Sequence, residues 1–457
     1  MKIVILGAGQ VGSSVAESLV SEQNDITVVD LDAPRLRALQ DRLDLRTVTG
    51  NAAHPSVLRE AGIEDADLLI AVTQSDETNL VACKLACRMF NVPRRIARVR
   101  AREFLENEQV LGREGFEVDL AICPEQVLTD YLVKLVEFPE ALQVLDFADG
   151  LVSLVAVRAF QGGPLVGNPI RDIRRHIPGI DARIVAIFRQ DRSLVPDGDT
   201  VIEAGDEVFC LAASRDIRQV MRELRRMARP VKRVMIAGGG NIGQRLTHAL
   251  EADYEVKVVE HNERRCEQLA AKVEHALVLR GDATDEELLA QENIADMDLF
   301  IAVTNDDENN IMSSLLAKRM GARRVVALIN RRSYVDLVQS AQIDIALSPA
   351  QATIGKLLAH VRRGDVVAVH SLRRGAAEAL EAVAHGDRKS CRLTGRRVEE
   401  IELPPGTLIG AVVRGEEVMM AHHDTVIQAE DHVIVFVADK KNLPRVEKLF
   451  QVSAGFL

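Results

Sequence analysis

The sequence contains no tryptophan and only three tyrosines and twelve phenylalanines among its 457 residues. Stacking platforms for bases and aromatic shelves for sugars are therefore poorly supplied. Basic residues are also in deficit: 57 Lys and Arg face 68 Asp and Glu, a formal net charge of −11. A general nucleic-acid binder normally shows a basic excess or a basic face, so nucleic acid is not an expected partner. The six cysteines, Cys83, Cys87, Cys123, Cys210, Cys266 and Cys391, include no C-x-x-C pair. They are expected to be reduced core residues, and Cys83 with Cys87 on one helix face supplies too few ligands for zinc. No run approaches the ~20 apolar residues that would cross a bilayer. One of the longest, 151–157, is interrupted by Ser153 and reads as a strand. Met1 and Lys2 lead directly into Ile3-Val4-Ile5-Leu6 without a signal-peptide pattern, so a cytoplasmic location is expected. A G-x-x-x-x-G-K-[ST] loop is absent as well, which argues against ATP hydrolysis of the Walker type.

What is present is enough apolar residue, 47%, to bury cores, in a chain long enough for about three domains. It is also a tandem repeat. KIVILGAGQVG at 2–12 matches RVMIAGGGNIG at 233–243, and DITVVD at 25–30 matches EVKVVE at 255–260. The stretch 49–79 matches 280–310, CPEQ at 123–126 matches SPAQ at 348–351, and DTVI at 199–202 matches DTVI at 424–427. The offset stays near 230, so one unit of about 140 residues plus one of about 90 is duplicated whole.

The larger units alternate short apolar runs with helical patterns, the βαβ signature of a parallel, doubly wound sheet. The fold class is α/β: two Rossmann-like domains, each followed by a small α+β domain. Boundaries are expected at 1–140, 141–229, 230–364 and 365–457. In the first small unit, strands are expected at 151–157, 182–188 and 207–212, with a helix at 214–227. In the second, the Ala-rich stretch 375–386 is expected to depart from this as a helix. The arginines at 218–233, including Arg222, Arg225, Arg226 and Arg229, read as a solvated helix end before Pro230. His422 and His423 read as an exposed turn.

Gly7, Gly9 and Gly12 follow a strand and open a helix. The first permits a tight turn, the second lets backbone approach a pyrophosphate, and the third allows close helix packing. Ala8, Gln10 and Val11 complete that loop. Asp30 ends the next strand, where an acid accepts bonds from an adenosine ribose and repels a 2′-phosphate, favouring NAD(H) over NADP(H). The second copy repeats the pattern with Gly238, Gly239, Gly240, Asn241, Ile242 and Gly243, followed by Glu260. Asn51 with Ala52, and Asp282 with Ala283, lie at the end of the third strand, as contacts to an adenine edge or as turn holders. Thr73, Asp76 and Asn79, matched by Thr304, Asp307 and Asn310, sit on the loop after the fourth strand. Asp76 or Asn79 is alternatively a helix cap. Arg98, ending the fifth strand, is read either as a phosphate contact or as a strand-end ion pair.

These motifs, with AVTQSDETN and AVTNDDENN and the repeated DTVI-x-A-x-D, resemble the TrkA family over essentially the whole chain. Members are cytosolic NAD-binding subunits of bacterial Trk potassium-uptake systems, with tandem domains of the kind that regulates potassium conductance (RCK domains). The resemblance implies a regulatory subunit, peripheral on the inner face of the membrane. It would gate a Trk-type pore subunit in response to NAD(H), ATP or ADP. It also implies a homotetramer, with the helices at 124–136 and after Pro349 in dimer contacts. No catalytic residue and no metal site is expected. The second copy departs from the first with Ile329-Asn330, matched here to Ala97-Arg98, and with Glu260-His261-Asn262 in place of Asp30-Leu31-Asp32. The alternatives are an NAD-dependent oxidoreductase with an unrecognised catalytic group, or a nucleotide-sensing scaffold for another partner.

Overall fold

The computed structural model describes the chain apart from residues 21–23, 191, 226–228, 332–333, 335–337, 339–342, 362–365, 374–375 and 453–457. The first sheet contains β1 (Lys2–Leu6), β2 (Asp25–Asp30), β3 (Arg46–Thr49), β4 (Leu68–Ala71), β5 (Arg94–Arg98) and β6 (Leu120–Ile122). All pairs are parallel, in the order β3-β2-β1-β4-β5-β6. This order reverses beside β1, the place where open α/β sheets leave a crevice at the carboxyl ends of their strands. β1 and β4 are buried along almost their whole length, as near-continuous apolar strands covered on both faces must be. The helix Gln10–Val20 turns Val11, Val15, Ala16 and Leu19 inward.

A second sheet is antiparallel: β7 (Ala141–Phe147), β8 (Val152–Arg158), β9 (Ala182–Arg189), β10 (Arg192–Leu194) and β11 (Glu207–Ala213). The second half repeats both architectures. β12 (Arg233–Ala237), β13 (Glu255–Glu260), β14 (Leu277–Arg280), β15 (Leu299–Ala302), β16 (Val325–Leu328) and β17 (Ile345–Leu347) form a parallel sheet in the same spatial order. β18 (Val366–Leu372), β19 (Ala377–Val383), β20 (Thr407–Arg414), β21 (Glu417–Met420) and β22 (His432–Val437) form an antiparallel one.

The chain divides into two compact units, and both cross the duplication. One joins residues 1–130 with 233–357, the other 131–232 with 358–457. In the second unit the two antiparallel sheets share a single core, in which Phe147, Leu154 and Phe209 cluster with Leu372, Ala379 and Phe436. The repeated DTVI-x-A-x-D segments have a structural role there. Asp206 and Asp431 are buried, and each is gripped by both arms of an arginine fork, Arg189 and Arg414, at 2.8–2.9 Å.

Local expectations fail in three places. β7 and β10 extend the first small unit beyond the strands expected, and its helix is shorter, Ile217–Leu224; Arg226 lies outside the described residues. The helix expected at 375–386 is strand β19. Alanine favours helix only weakly, and here ladders to β18 on one side and β22 on the other bury residues 377–382. Its two acids stay paired at 1% exposure, Glu378 to Lys440 at 3.1 Å and Glu381 to His432 at 2.5 Å. All six cysteines are free, and five of them are buried. Burial pushes the Cys83 and Cys210 thiols up to about 12.

Candidate functional site

Both glycine loops open onto one cleft of about 970 Å3 inside the first unit. Gly7 has φ +108° and Gly238 φ +110°, a region closed to most side chains, and each continues its strand by donating N–H to the neighbouring strand end, Val29 O or Val259 O. A Cβ on Gly12 would fall on Gly7 O, and one on Gly243 would fall on Gly238 O. These third glycines therefore let the helices Gln10–Val20 and Asn241–Leu250 start against the loop. At Gly9 and Gly240 a Cβ would meet nothing within 4 Å. The middle glycines border the open cleft, leaving free space for a ligand beside helix N-terminal N–H groups.

Asp30 and Glu260 end β2 and β13, at the same mouths. Asp30 Oδ2 accepts from Ala8 N at 2.5 Å and Oδ1 from Asp32 N at 2.9 Å. Glu260 Oε2 accepts from Gly239 N and Oε1 from Asn262 N, both at 2.8 Å. Each acid therefore braces its glycine loop, with acceptor capacity left on the carboxylate. The longer arm of Glu260 fits because copy two has Gly239 where copy one has Ala8; a Cβ there would lie 3.2 Å from Glu260 Cβ.

The remaining residues separate into those at the cleft and those behind it. Asn51, Ala52, Thr73, Thr304 and Arg98 line it, together with Gln10, Val11, Asn241 and Ile242. Asp282 and Ala283 do not, although Asn51 and Asp282 both hold turns: Asn51 accepts from Ala53 N, and Asp282 from the N and Oγ1 of Thr284. The Thr284 donors hold the Asp282 carboxyl below its ordinary value.

Asn79 and Asn310 also stand away from the cleft. Asn79 Oδ1 accepts from Thr73 N and Oγ1, while Nδ2 donates to Thr73 O and Arg98 O, and Asn310 repeats this with Thr304 and Leu328 O. Fully buried and fully bonded, both lash the fourth-strand loop to the fifth strand. Asp76 accepts from Arg100 N and Ala101 N, and Asp307 from Asn330 N and Arg331 N, which makes them strand-end clamps. The alternative reading of Asp76 or Asn79 as a cap is corrected too: the caps are Ser75 and Asp306.

Arg98 pairs with Glu125 at 3.0 Å, and Arg100 with the same carboxylate at 3.3 Å. Burial pulls the Arg98 guanidinium below its ordinary pKa while Glu125 pushes back, and arginine stays charged at working pH. The shared bonds also correct the register between copies. Asn79 reaches Arg98 O where Asn310 reaches Leu328 O, and Asp76 holds Arg100 N where Asp307 holds Asn330 N. Arg98 therefore corresponds to Leu328 and Arg100 to Asn330, so copy two lacks both arginines. Cleft residues that sequence reasoning missed include Arg35, Arg265 and Gln268. The signal was their place within two helical turns of the strand-ending acid.

Family models match a stretch of each of the four units. The TrkA-N domain matches residues 3–124 and 234–349. The TrkA-C domain matches 154–225 and 388–451. The chain belongs to the TrkA family. Its curated relatives include the Trk system potassium uptake protein TrkA of Halomonas elongata, 59% identical over 456 residues, and that of Vibrio alginolyticus, 57% identical over 458; each alignment covers 100% of both chains. Among solved structures, the crystal structure of the GsuK RCK domain matches with a TM-score of 0.62 at 18% identity, over 98% of this chain and 94% of that one. The GsuK channel bound to NAD matches with a TM-score of 0.62 at 19% identity, over 98% and 78%. At these identities the TrkA-family chain shares a fold with GsuK. Among the described residues, no helix is long and apolar enough to cross a membrane, and no group of three or more His, Cys, Asp or Glu could hold a metal.

Proposed function

We propose that this chain is the cytoplasmic regulatory subunit of a Trk-type potassium-uptake system, peripheral on the inner face of the membrane and assembled as a homotetramer. In this reading it binds NAD(H), with ATP or ADP as further ligands, and gates a membrane pore subunit. The observation that carries it is the pair of glycine loops, each with an acid-ended strand, opening onto one cleft in a chain that aligns end to end with Trk potassium uptake proteins. The domains are taken as 1–140, 141–229, 230–364 and 365–457.

The residues present suit an adenine dinucleotide. Open space at Gly9 and Gly240 lets pyrophosphate reach the helix N-termini, and Asp30 and Glu260 keep acceptor capacity for ribose hydroxyls. Thr73, Thr304 and Asn51 line the approach, and Arg98 offers a cation already balanced by Glu125. When bound, the dinucleotide supplies phosphate charge and a nicotinamide whose redox state differs between ligand forms. The chain's own part is differential affinity, because a ligand shifts a conformational equilibrium only as far as it prefers one state. The names of the relatives carry transport rather than a reaction, which supports a non-enzymatic role.

The test is potassium uptake at low external potassium in cells lacking this chain and any redundant subunit. Wild type is expected to restore uptake and Asp30→Ala/Glu260→Ala to fail. Normal uptake without the chain would overturn the transport reading, and nicotinamide turnover with a small substrate would revive the oxidoreductase.

A further inference from the structure

The two mouths of the cleft are built from equivalent residues with different charges. In copy one, Arg35 pairs with Asp32 at 3.1 Å, so its cation is neutralised beside the half-buried Asp30. In copy two, Asn262 stands where Asp32 stands, and its side-chain Oδ1 accepts from the backbone N of Arg265. Arg265, the counterpart of Arg35, lines the cleft and has no carboxylate partner among the described residues. Leu31 is replaced by His261, whose Nδ1 lies 3.2 Å from Glu260 Oε1. Glu260 itself is withdrawn under the loop at 3% exposure, its carboxylate capped by two backbone N–H groups. The other acids nearby are Glu263, bound to Arg280 at 2.6 Å, and Asp282, bonded to Thr284.

An acid at the end of this strand repels a phosphate on the adenosine ribose, and a nearby arginine accommodates one. Both acids are capped by two backbone N–H groups; the difference is that the first stays half-buried beside a paired arginine, whereas the second is almost fully buried and its arginine has no carboxylate partner among the described residues. We propose that the second mouth accepts an adenine dinucleotide carrying a 2′-phosphate on its ribose, with Arg265 as the specificity-determining residue and His261 screening Glu260, while the first mouth excludes that phosphate. This rests on the nucleotide reading of the cleft.

The experiment is calorimetry of the full-length chain with NAD+ and with NADP+. With the first loop blocked by Gly9→Val, the remaining site is expected to bind NADP+ at least as tightly as NAD+. Arg265→Ala is expected to weaken NADP+ by about tenfold, the order of one charge pair in a partly screened site, and NAD+ by no more than about threefold. Asn262→Asp rebuilds the ion pair of the first copy at an exposed cap and is expected to give the same selective loss with the first loop intact. The proposal therefore does not depend on Gly9→Val folding. A remaining site that prefers NAD+ more than about tenfold, or variants that weaken both dinucleotides equally, would overturn it while leaving the nucleotide reading in place. Binding of neither NAD+ nor NADP+ by the wild-type chain would overturn both.

Discussion

Gly9 and Gly12 separate binding from folding. Gly12 has no room for a methyl group, since its Cβ would collide with Gly7 O, a backbone atom that cannot rotate away. Gly12→Ala is expected to destabilise the first unit by about 1–3 kcal/mol, read as a lowered denaturant midpoint. Gly9→Val adds its side chain into open space. It should leave the midpoint close to wild type while abolishing nucleotide binding at the first mouth. Equal loss of stability in both variants would mean that the loop is only structural. The glycines and strand-ending acids were legible because their spacing is fixed by a local turn. The roles of Asp76 and Asn79 were not, because their partners are Arg98 O and the backbone N–H groups of Arg100 and Ala101, which sequence spacing does not bring near.

The helix Asn241–Leu250 is held at its end by a carboxylate as well as at its start by Gly243. Glu251 Oε2 accepts the backbone N–H groups of Glu274, His275 and Ala276 at 2.9–3.2 Å, and His248 Nδ1 lies 3.1 Å from Oε1. Burial raises this carboxyl, but the donors outweigh it and hold it below the ordinary carboxylate value. A lowered folded-state pKa contributes stability that is present above the unfolded value, about 4.3, and is lost as pH falls through the folded value. The thermal midpoint of wild type should therefore fall more steeply below about pH 4.3 than that of Glu251→Gln, which is expected to start lower at neutral pH. Parallel curves would show that the carboxylate holds no net charge-dependent bond. Element identity followed the same division between local and distant causes. The parallel strands were legible from their apolar runs, whereas β19 was misread because its ladder partners β18 and β22, not its alanines, decide its state.

The duplication leaves two copies that are not interchangeable, and among the described residues Arg245 hydrogen-bonds across from one to the other in a pocket beside the cleft. Arg245, on the helix that begins at the second glycine loop, donates to Gln126 Oε1 at 2.8 Å and to Arg100 O at 3.0 Å. The equivalent position in the first copy is Ser14, so the strut runs in one direction only. Its two acceptors belong to the end of the fifth-strand segment and to the helix Pro124–Glu137, beside the Glu125 that pairs with Arg98 and Arg100. A ligand that shifts the second helix must therefore strain or relieve the first mouth. Thermodynamic linkage requires the same coupling in reverse. In two-site calorimetry of the full chain, the successive binding constants should depart from independence by about fivefold, the lower range for coupled sites. Arg245→Ala should bring them towards the independent limit without abolishing either site, since Arg245 touches neither glycine loop. Coupling that survives Arg245→Ala unchanged would mean that the shared cleft itself, through its facing walls, transmits the signal.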